Sequence, residues 1–173
     1  MNGAPGLQLT IRRLDGAEEA HLCAQVLTES EPWVTLRWSY PNAVKGLNDP
    51  DREVYVGLHD ATVVGFTILN LRGPLRGYVQ TLAVMPEQRN RGIGSKLIKF
   101  AEQRIFGEFP NVFLCVSSFN LAAQRFYKRL GYEPVGELKD YVVQGHSEIL
   151  MRKTIAPMAD FVPETQAFER RES

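Results

Sequence analysis

A chain of 173 residues carrying 20 Lys and Arg against 20 Asp and Glu has a formal net charge of zero. No overall field draws it to nucleic acid or to an anionic membrane, so any anion it holds must be gripped locally. Cys23 and Cys115 lie far apart with neither a CxxC spacing nor a nearby histidine cluster, which argues against a disulfide scaffold and against a metal site.

The length suits one domain with a core able to fold unaided. Met1 to Thr10 lacks the basic start and apolar run of a signal peptide, and no stretch approaches the ~20 apolar residues of a membrane span, so a cytoplasmic protein is expected.

Leu7, Leu9 and Ile11 alternate with Gln8, Thr10 and Arg12, the period of a half-buried strand. Asp15-Gly16 ends it before a helical run carrying Leu22, Val26 and Leu27. From Glu31-Pro32-Trp33 to Asn48-Asp49-Pro50 the pattern is mixed and aromatic, which predicts a short helix or two between loops. Residues 54–58 and 63–71 are rich in β-branched and large apolar side chains, and His59-Asp60-Ala61 between them is short enough for a hairpin, so they should pair antiparallel. Gly73-Pro74 turns the chain into a further strand over residues 77–85, stopped by Pro86.

Ile93, Leu97, Ile98, Ala101, Ile105 and Phe106 recur at helical spacing opposite Lys96, Lys99, Glu102 and Arg104, an amphipathic helix. Residues 112–116 form a continuous apolar run, as expected of a strand buried on both faces. Asn120 then opens a helix carrying Ala122, Phe126 and Leu130, closed by Gly131. Strand-like runs over residues 133–143 and 148–154 complete the sheet, and residues 155–173, with two prolines and a charged end, read as a tail outside a single domain of residues 1–154. The expected class is α/β with α+β layering: a mixed, mostly antiparallel seven-stranded sheet flanked by about four helices.

Between a strand and the amphipathic helix stands Gln88-Arg89-Asn90-Arg91-Gly92-Ile93-Gly94-Ser95. Bare glycines let backbone approach a ligand, and the first amides of a helix point outward unpaired, a setting for phosphate oxygens to which Arg89 and Arg91 add full charges. A lone GxG is also ordinary turn chemistry. The dinucleotide fingerprint needs a third glycine where Leu97 stands, and antiparallel strands precede the loop where a βαβ unit should be. A P-loop needs Gly-Lys-Ser/Thr, but the order here is Gly94-Ser95-Lys96.

The run from Val84 to Leu97 closely resembles the coenzyme A loop of the GNAT acyltransferase superfamily, whose pattern Gln/Arg-x-x-Gly-x-Gly/Ala is met by Arg89, Gly92 and Gly94. Asn120, followed by Phe126-Tyr127-Lys128-Arg129-Leu130-Gly131-Tyr132, resembles the second signature of that superfamily, an Asn opening a helix that carries a Tyr and ends in Gly plus an aromatic residue. Two independent motifs on a compatible scaffold reinforce one another.

The resemblance implies acetyl-coenzyme A as acyl donor and no metal. It implies that the backbone of Leu82, Ala83 and Val84 holds the pantetheine arm as an added strand would, with the Leu82 amide facing the oxyanion. Arg89, Asn90, Arg91, Gly92, Ile93, Gly94 and Ser95 would hold the pyrophosphate, and Asn120 would lie beside the thioester. Tyr127 would protonate the leaving thiolate after direct attack by a neutral amine. The acceptor would be a small-molecule, protein or peptide amine, with no nucleic acid or membrane partner and with a homodimer left open.

Val116-Ser117-Ser118-Phe119-Asn120 resembles, within the superfamily, the ribosomal-protein N-terminal acetyltransferases, the nearest branch by motif. These carry a Glu in the fifth strand where this chain has Cys115, so the general base does not carry over. Cys115 reads as a packed structural cysteine whose burial raises its pKa. Glu29, Glu31, His146 and Glu148 are the other candidates for a base, and each reads more simply as a surface or strand-face residue. Trp33, Trp38 and Tyr40 fall in the segment that walls the acceptor site in this superfamily, and aromatic residues there also serve simply to pack on the sheet. The rival reading is a non-catalytic acyl-coenzyme A sensor with a closed acceptor side, against which Tyr127 argues.

Overall fold

The computed structural model describes residues 8–163. Leu7 of the first expected strand and residues 164–173 of the expected tail lie outside the described residues. In chain order the elements are β1 (Thr10–Arg13), α1 (Gly16–Glu29), α2 (Tyr40–Leu47), β2 (Arg52–His59), β3 (Thr62–Asn70) and β4 (Tyr78–Val84). A single 3-10 turn (Pro86–Gln88) leads to α3 (Ile93–Phe106), β5 (Asn111–Ser117), α4 (Leu121–Arg129), β6 (Glu133–Leu138) and β7 (Glu148–Thr154). The strands form one seven-stranded sheet in the order β1-β2-β3-β4-β5-β7-β6. Every neighbouring pair is antiparallel except β4 and β5, so the mixed, mostly antiparallel sheet with four helices is as expected.

Local chemistry sets these elements. The β2–β3 hairpin turns through Asp60 (φ 49°) and Ala61 (φ 63°), two left-handed residues whose twist matches that of the flanking strands. At the start of α1, Glu19 Oε2 accepts from the Asp15 amide at 2.8 Å, satisfying one otherwise orphaned donor. Ser39 caps α2 by accepting from the Asn42 amide at 3.4 Å.

Helices cover both faces. On one, Cys23, Leu27, Ala43 and Leu47 from α1 and α2 pack against Val54, Val56, Phe66 and Ile68. On the other, Ile98, Ala101 and Ile105 from α3 pack with Leu69, Val79, Val112 and Leu114, joined by Tyr127, Tyr132 and Met151. Each fully buried side chain of this size contributes roughly 1.5–3 kcal/mol relative to exposure.

Two expectations need correction. The sixth strand, expected over residues 133–143, stops at Leu138. Residues beyond it turn instead, with Asp140 at φ 50° accepting from the Gly145 amide at 2.6 Å, a side-chain bond that offers the backbone an alternative to pairing. The fifth strand is not buried on both faces. Val112, Leu114 and Val116 are buried, while Phe113 and Cys115 alternate with them in partial exposure. The aromatic segment yields one short helix, α2, preceded by turns, within what its pattern predicts. Residues 155–163 carry neither helix nor strand.

The feature that positions the site is a parting in the sheet. β4 and β5 pair only at Tyr78↔Phe113 and Val79↔Leu114. Beyond Val79, β4 stays paired with β3 through Thr67↔Leu82, Phe66↔Ala83 and Gly65↔Val84, but not with β5. A strand alternates the side to which successive backbone groups point. Thr81 O accepts from the Thr67 side chain at 2.8 Å and the Met85 amide donates to Val64 O at 3.0 Å. Thr81, Ala83 and Met85 therefore face β3, and the amides and carbonyls of Leu82 and Val84 face the gap.

Candidate active site

The gap opens into a cleft of about 670 Å³ under the glycine loop. Asn90 (φ 62°) and Gly92 (φ 78°) both adopt the left-handed conformation, curling the loop so that successive amides converge, as in backbone nests that bind anions. Gly92 is the N-cap of α3 and has no side-chain cap. The first amide to reach a helical carbonyl across the loop is that of Lys96, on Gly92 O at 3.2 Å. The amides of Ile93, Gly94 and Ser95 precede it and have no carbonyl one turn below. At the positive end of a 14-residue helix, they suit phosphate oxygens.

The site also has the room. A Cβ built on Gly92 meets nothing within 4 Å, and one on Gly94 meets only Phe126 and Val84, both at 3.7 Å. Of the residues expected here, Leu82, Ala83, Val84, Arg89, Asn90, Gly92, Ile93, Gly94, Ser95, Asn120 and Tyr127 all line the cleft, but the Ala83 backbone, expected to hold the pantetheine arm, is turned to β3. Arg91 does not: it is exposed and its guanidinium donates to Gln88 Oε1. Arg89 lines the cleft with its Nε 3.4 Å from Val84 O. Among the described residues no cluster of three His, Cys, Asp or Glu side chains is placed to hold a metal ion.

A second cavity of about 320 Å³ adjoins the cleft at Tyr127, which lines both. The two share Pro32, Trp33, Leu82, Asn120, Ala123 and Tyr127. Tyr127 is 8% exposed and stacks edge-on against Phe126 and Tyr132, with centroids 5.2 and 5.6 Å away. Its hydroxyl makes no hydrogen bond to another described residue. Burial pushes its pKa up, so it stands in the cleft as a protonated donor. Asn120 caps α4, its Oδ1 accepting from the Ala123 amide at 3.1 Å.

Trp38, Tyr78, Cys115, Ser117, Tyr141 and Glu148 are among the residues that complete the second cavity. Burial raises the Cys115 thiol, and a hydrogen bond from Tyr78 lowers it only in part, as suits a packed cysteine rather than a thiolate. Of the carboxylates and histidine weighed from sequence as bases, Glu31 lines the cleft and Glu148 the second cavity, while Glu29 and His146 line neither. The Glu31 carboxylate accepts from the Thr35 amide at 3.3 Å and from its hydroxyl at 3.0 Å. Tyr40, grouped with the tryptophans, is hydrogen-bonded to His21 and lies outside both cavities.

Residues 15–132 match the model of the acetyltransferase (GNAT) family. The chain belongs to that family. It is similar to an uncharacterised N-acetyltransferase of Methanocaldococcus jannaschii, at 36% identity over 67% of this chain and 69% of the relative. It is likewise similar to the N-alpha-acetyltransferase RimI of Mycobacterium tuberculosis, at 30% identity over 83% of this chain and 89% of the relative. The second relative agrees with the branch resemblance seen in Val116-Ser117-Ser118-Phe119-Asn120. The fold matches the crystal structure of spermidine N-acetyltransferase from Vibrio cholerae in complex with coenzyme A and spermine, with TM-score 0.67 and 17% identity over 85% of this chain and 95% of that one. This GNAT protein is an acetyl-coenzyme A-dependent N-acetyltransferase.

Sequence reading set aside Glu148 as a strand-face residue and gave Tyr78 no role. Glu148 is 5% exposed and receives a hydrogen bond from the Ser117 hydroxyl at 2.6 Å. The one visible signal was a carboxylate opening the apolar run of β7. What makes it a site residue is the register Ser117↔Glu148, a pairing across 31 positions of sequence that no local pattern announces.

Proposed function

We propose that the cleft takes acetyl-coenzyme A, that the adjoining cavity takes a primary amine, and that the acetyl group passes between them by direct attack in a ternary complex with Tyr127 as general acid. The observation that carries this reading is the meeting of the two cavities at Leu82, Asn120 and Tyr127, where β4 and β5 have parted. The donor supplies an activated thioester carbonyl. The chain supplies alignment of the two reactants and donors placed where charge develops.

The amides of Ile93, Gly94 and Ser95 hold the pyrophosphate, with Arg89 beside them. The gap-facing backbone of Leu82 and Val84 pairs with the pantetheine arm as an edge strand pairs with a peptide, and the Leu82 amide faces the carbonyl oxygen. Asn120 steadies the thioester end. The Tyr127 hydroxyl, protonated and without a hydrogen bond to another described residue, gives its proton to the departing sulfur. A non-catalytic sensor would need its acceptor side closed, and a cavity of about 320 Å³ stands there.

The test is release of free thiol from acetyl-coenzyme A in the presence of an alanine-initiated peptide or spermidine. Turnover with at least one of them is expected, together with a large loss in Tyr127→Phe. Coenzyme A binding without turnover of either amine would contradict the reading.

A further inference from the structure

The described carboxylates that are buried or half-buried in this fold are, with one exception, neutralised by a cation of the chain itself. Glu53 is held by Arg104 at 2.8 Å and Arg13 at 3.0 Å, and Glu102 by Lys153 at 2.8 Å. Glu148 is the exception. It is 5% exposed, and among the described residues it takes part in no ion pair and no lysine or arginine lines its cavity. A buried carboxylate without a counter-charge is costly and persists where something else supplies the charge.

We propose that Glu148 is the anchor and proton acceptor for the incoming ammonium, an assignment that rests on the acceptor reading of the second cavity. The cavity's chemistry suits a cation. Among the described residues Glu148 is the only acid lining it, and Trp33, Trp38, Tyr78 and Tyr141 add aromatic faces and edges. The Ser117 hydroxyl donates to Oε1, which leaves Oε2 free for the substrate. The groups facing the carboxylate are Ser117 and Cys115 from β5, Tyr78 from β4 and Tyr141 from the turn before β7. None of them carries a positive charge. Burial raises the Glu148 pKa while the Ser117 hydrogen bond lowers it in part, which moves the group toward the range in which a base works near neutrality.

The proton balance closes. An ammonium carries three protons, of which the first passes to the Glu148 carboxylate. The freed lone pair forms the C–N bond as the C–S bond breaks. Tyr127 protonates the departing sulfur and regains its proton from the nitrogen, which keeps the third as the amide hydrogen. Glu148 returns its proton to solvent, so the net change is one proton released per acetyl transferred.

Glu148→Gln tests this, because glutamine keeps an oxygen that accepts from Ser117 and loses only the basic carboxylate. With an alanine-initiated peptide at pH 7 the variant should lose 100-fold or more in kcat/KM, on the order of what a positioned base contributes. Coenzyme A affinity should stay within twofold of wild type by calorimetry. The deficit should shrink above pH ~8, where the peptide's own amine is already neutral. Ser117→Ala should retain most of its rate at high pH and move the acid limb of kcat/KM to higher pH, since it removes the bond that favours the ionised carboxylate.

Glu148→Gln turning over at the wild-type rate across the pH range would overturn this inference alone. So would an equal loss at every pH, which marks a structural role. Wild-type enzyme that binds coenzyme A but acetylates neither the peptide nor spermidine would overturn the proposed function, and this inference with it.

Discussion

The cleft under the glycine loop and the cavity adjoining it at Tyr127 meet at the same few residues, yet they are built differently. The cleft is a backbone site: amides at the start of α3, two left-handed residues in the loop before it, and the unpaired edge of β4. The cavity is a side-chain site, assembled from the aromatic segment after α1, from β4 and β5, and from a carboxylate on β7. A phosphate chain presents the same oxygens to every member of such a family, so repeated backbone donors suffice. Acceptors differ in shape and charge, and side chains from separate segments can vary one at a time.

Substitutions should separate the two halves. Gly92→Trp should have the largest effect. It puts a bulky group into the open face of the loop at φ 78° and should abolish coenzyme A binding in calorimetry. The strain of a left-handed non-glycine residue costs only about 1–2 kcal/mol, so the fold should survive by circular dichroism. Unchanged affinity would sink the backbone account of the cleft.

Tyr127→Phe should come next. It removes the hydroxyl where the halves join and should slow acetyl transfer by roughly 10²–10⁴-fold while coenzyme A affinity stays near wild type. Full activity would return Tyr127 to the core.

Asn120→Ala should be milder and should act on stability, because the residue caps α4. A loss of about 1 kcal/mol in denaturant unfolding is expected.

Glu53→Gln should be smallest and should leave both halves untouched. Burial raises the Glu53 pKa, but Arg104, Tyr55 and Arg13 outweigh it and hold the group below its ordinary value of 4.5. A lowered folded pKa contributes stability that is present above the unfolded value and lost as pH falls through the folded one. The variant should therefore melt a few degrees lower at pH 7, with the difference fading below pH 4.5, as followed by thermal unfolding. A difference that grew in acid would contradict that sign.

The same contrast explains what could be read from the chain. The glycine loop is contiguous, so Arg89, Gly92 and Gly94 announced the cleft and excluded other phosphate binders. The Asn120 and Tyr127 signature placed the helix that crosses it. The antiparallel run of β2, β3 and β4 followed from apolar stretches and turns, because hairpins are local. The shortfall lay where partners are remote. The sixth strand ran on in the pattern past Leu138, whereas Asp140 turns the chain back through a side-chain bond. The residues of β5 looked uniformly apolar, and only the sheet shows that Cys115 faces a cavity. Glu148 was legible as a carboxylate in an apolar setting, but its meaning depends on the register of β7 against β5 and on the lack of any cation among the described residues of that lining.

A crystal structure of the protein with bound coenzyme A tests the donor half and its junction most directly. The pyrophosphate should lie against the amides of Ile93, Gly94 and Ser95, the pantetheine arm along Leu82 and Val84, and the sulfur beside the Tyr127 hydroxyl. Coenzyme A bound away from the loop, or with its sulfur remote from Tyr127, would contradict the assignment of the cleft.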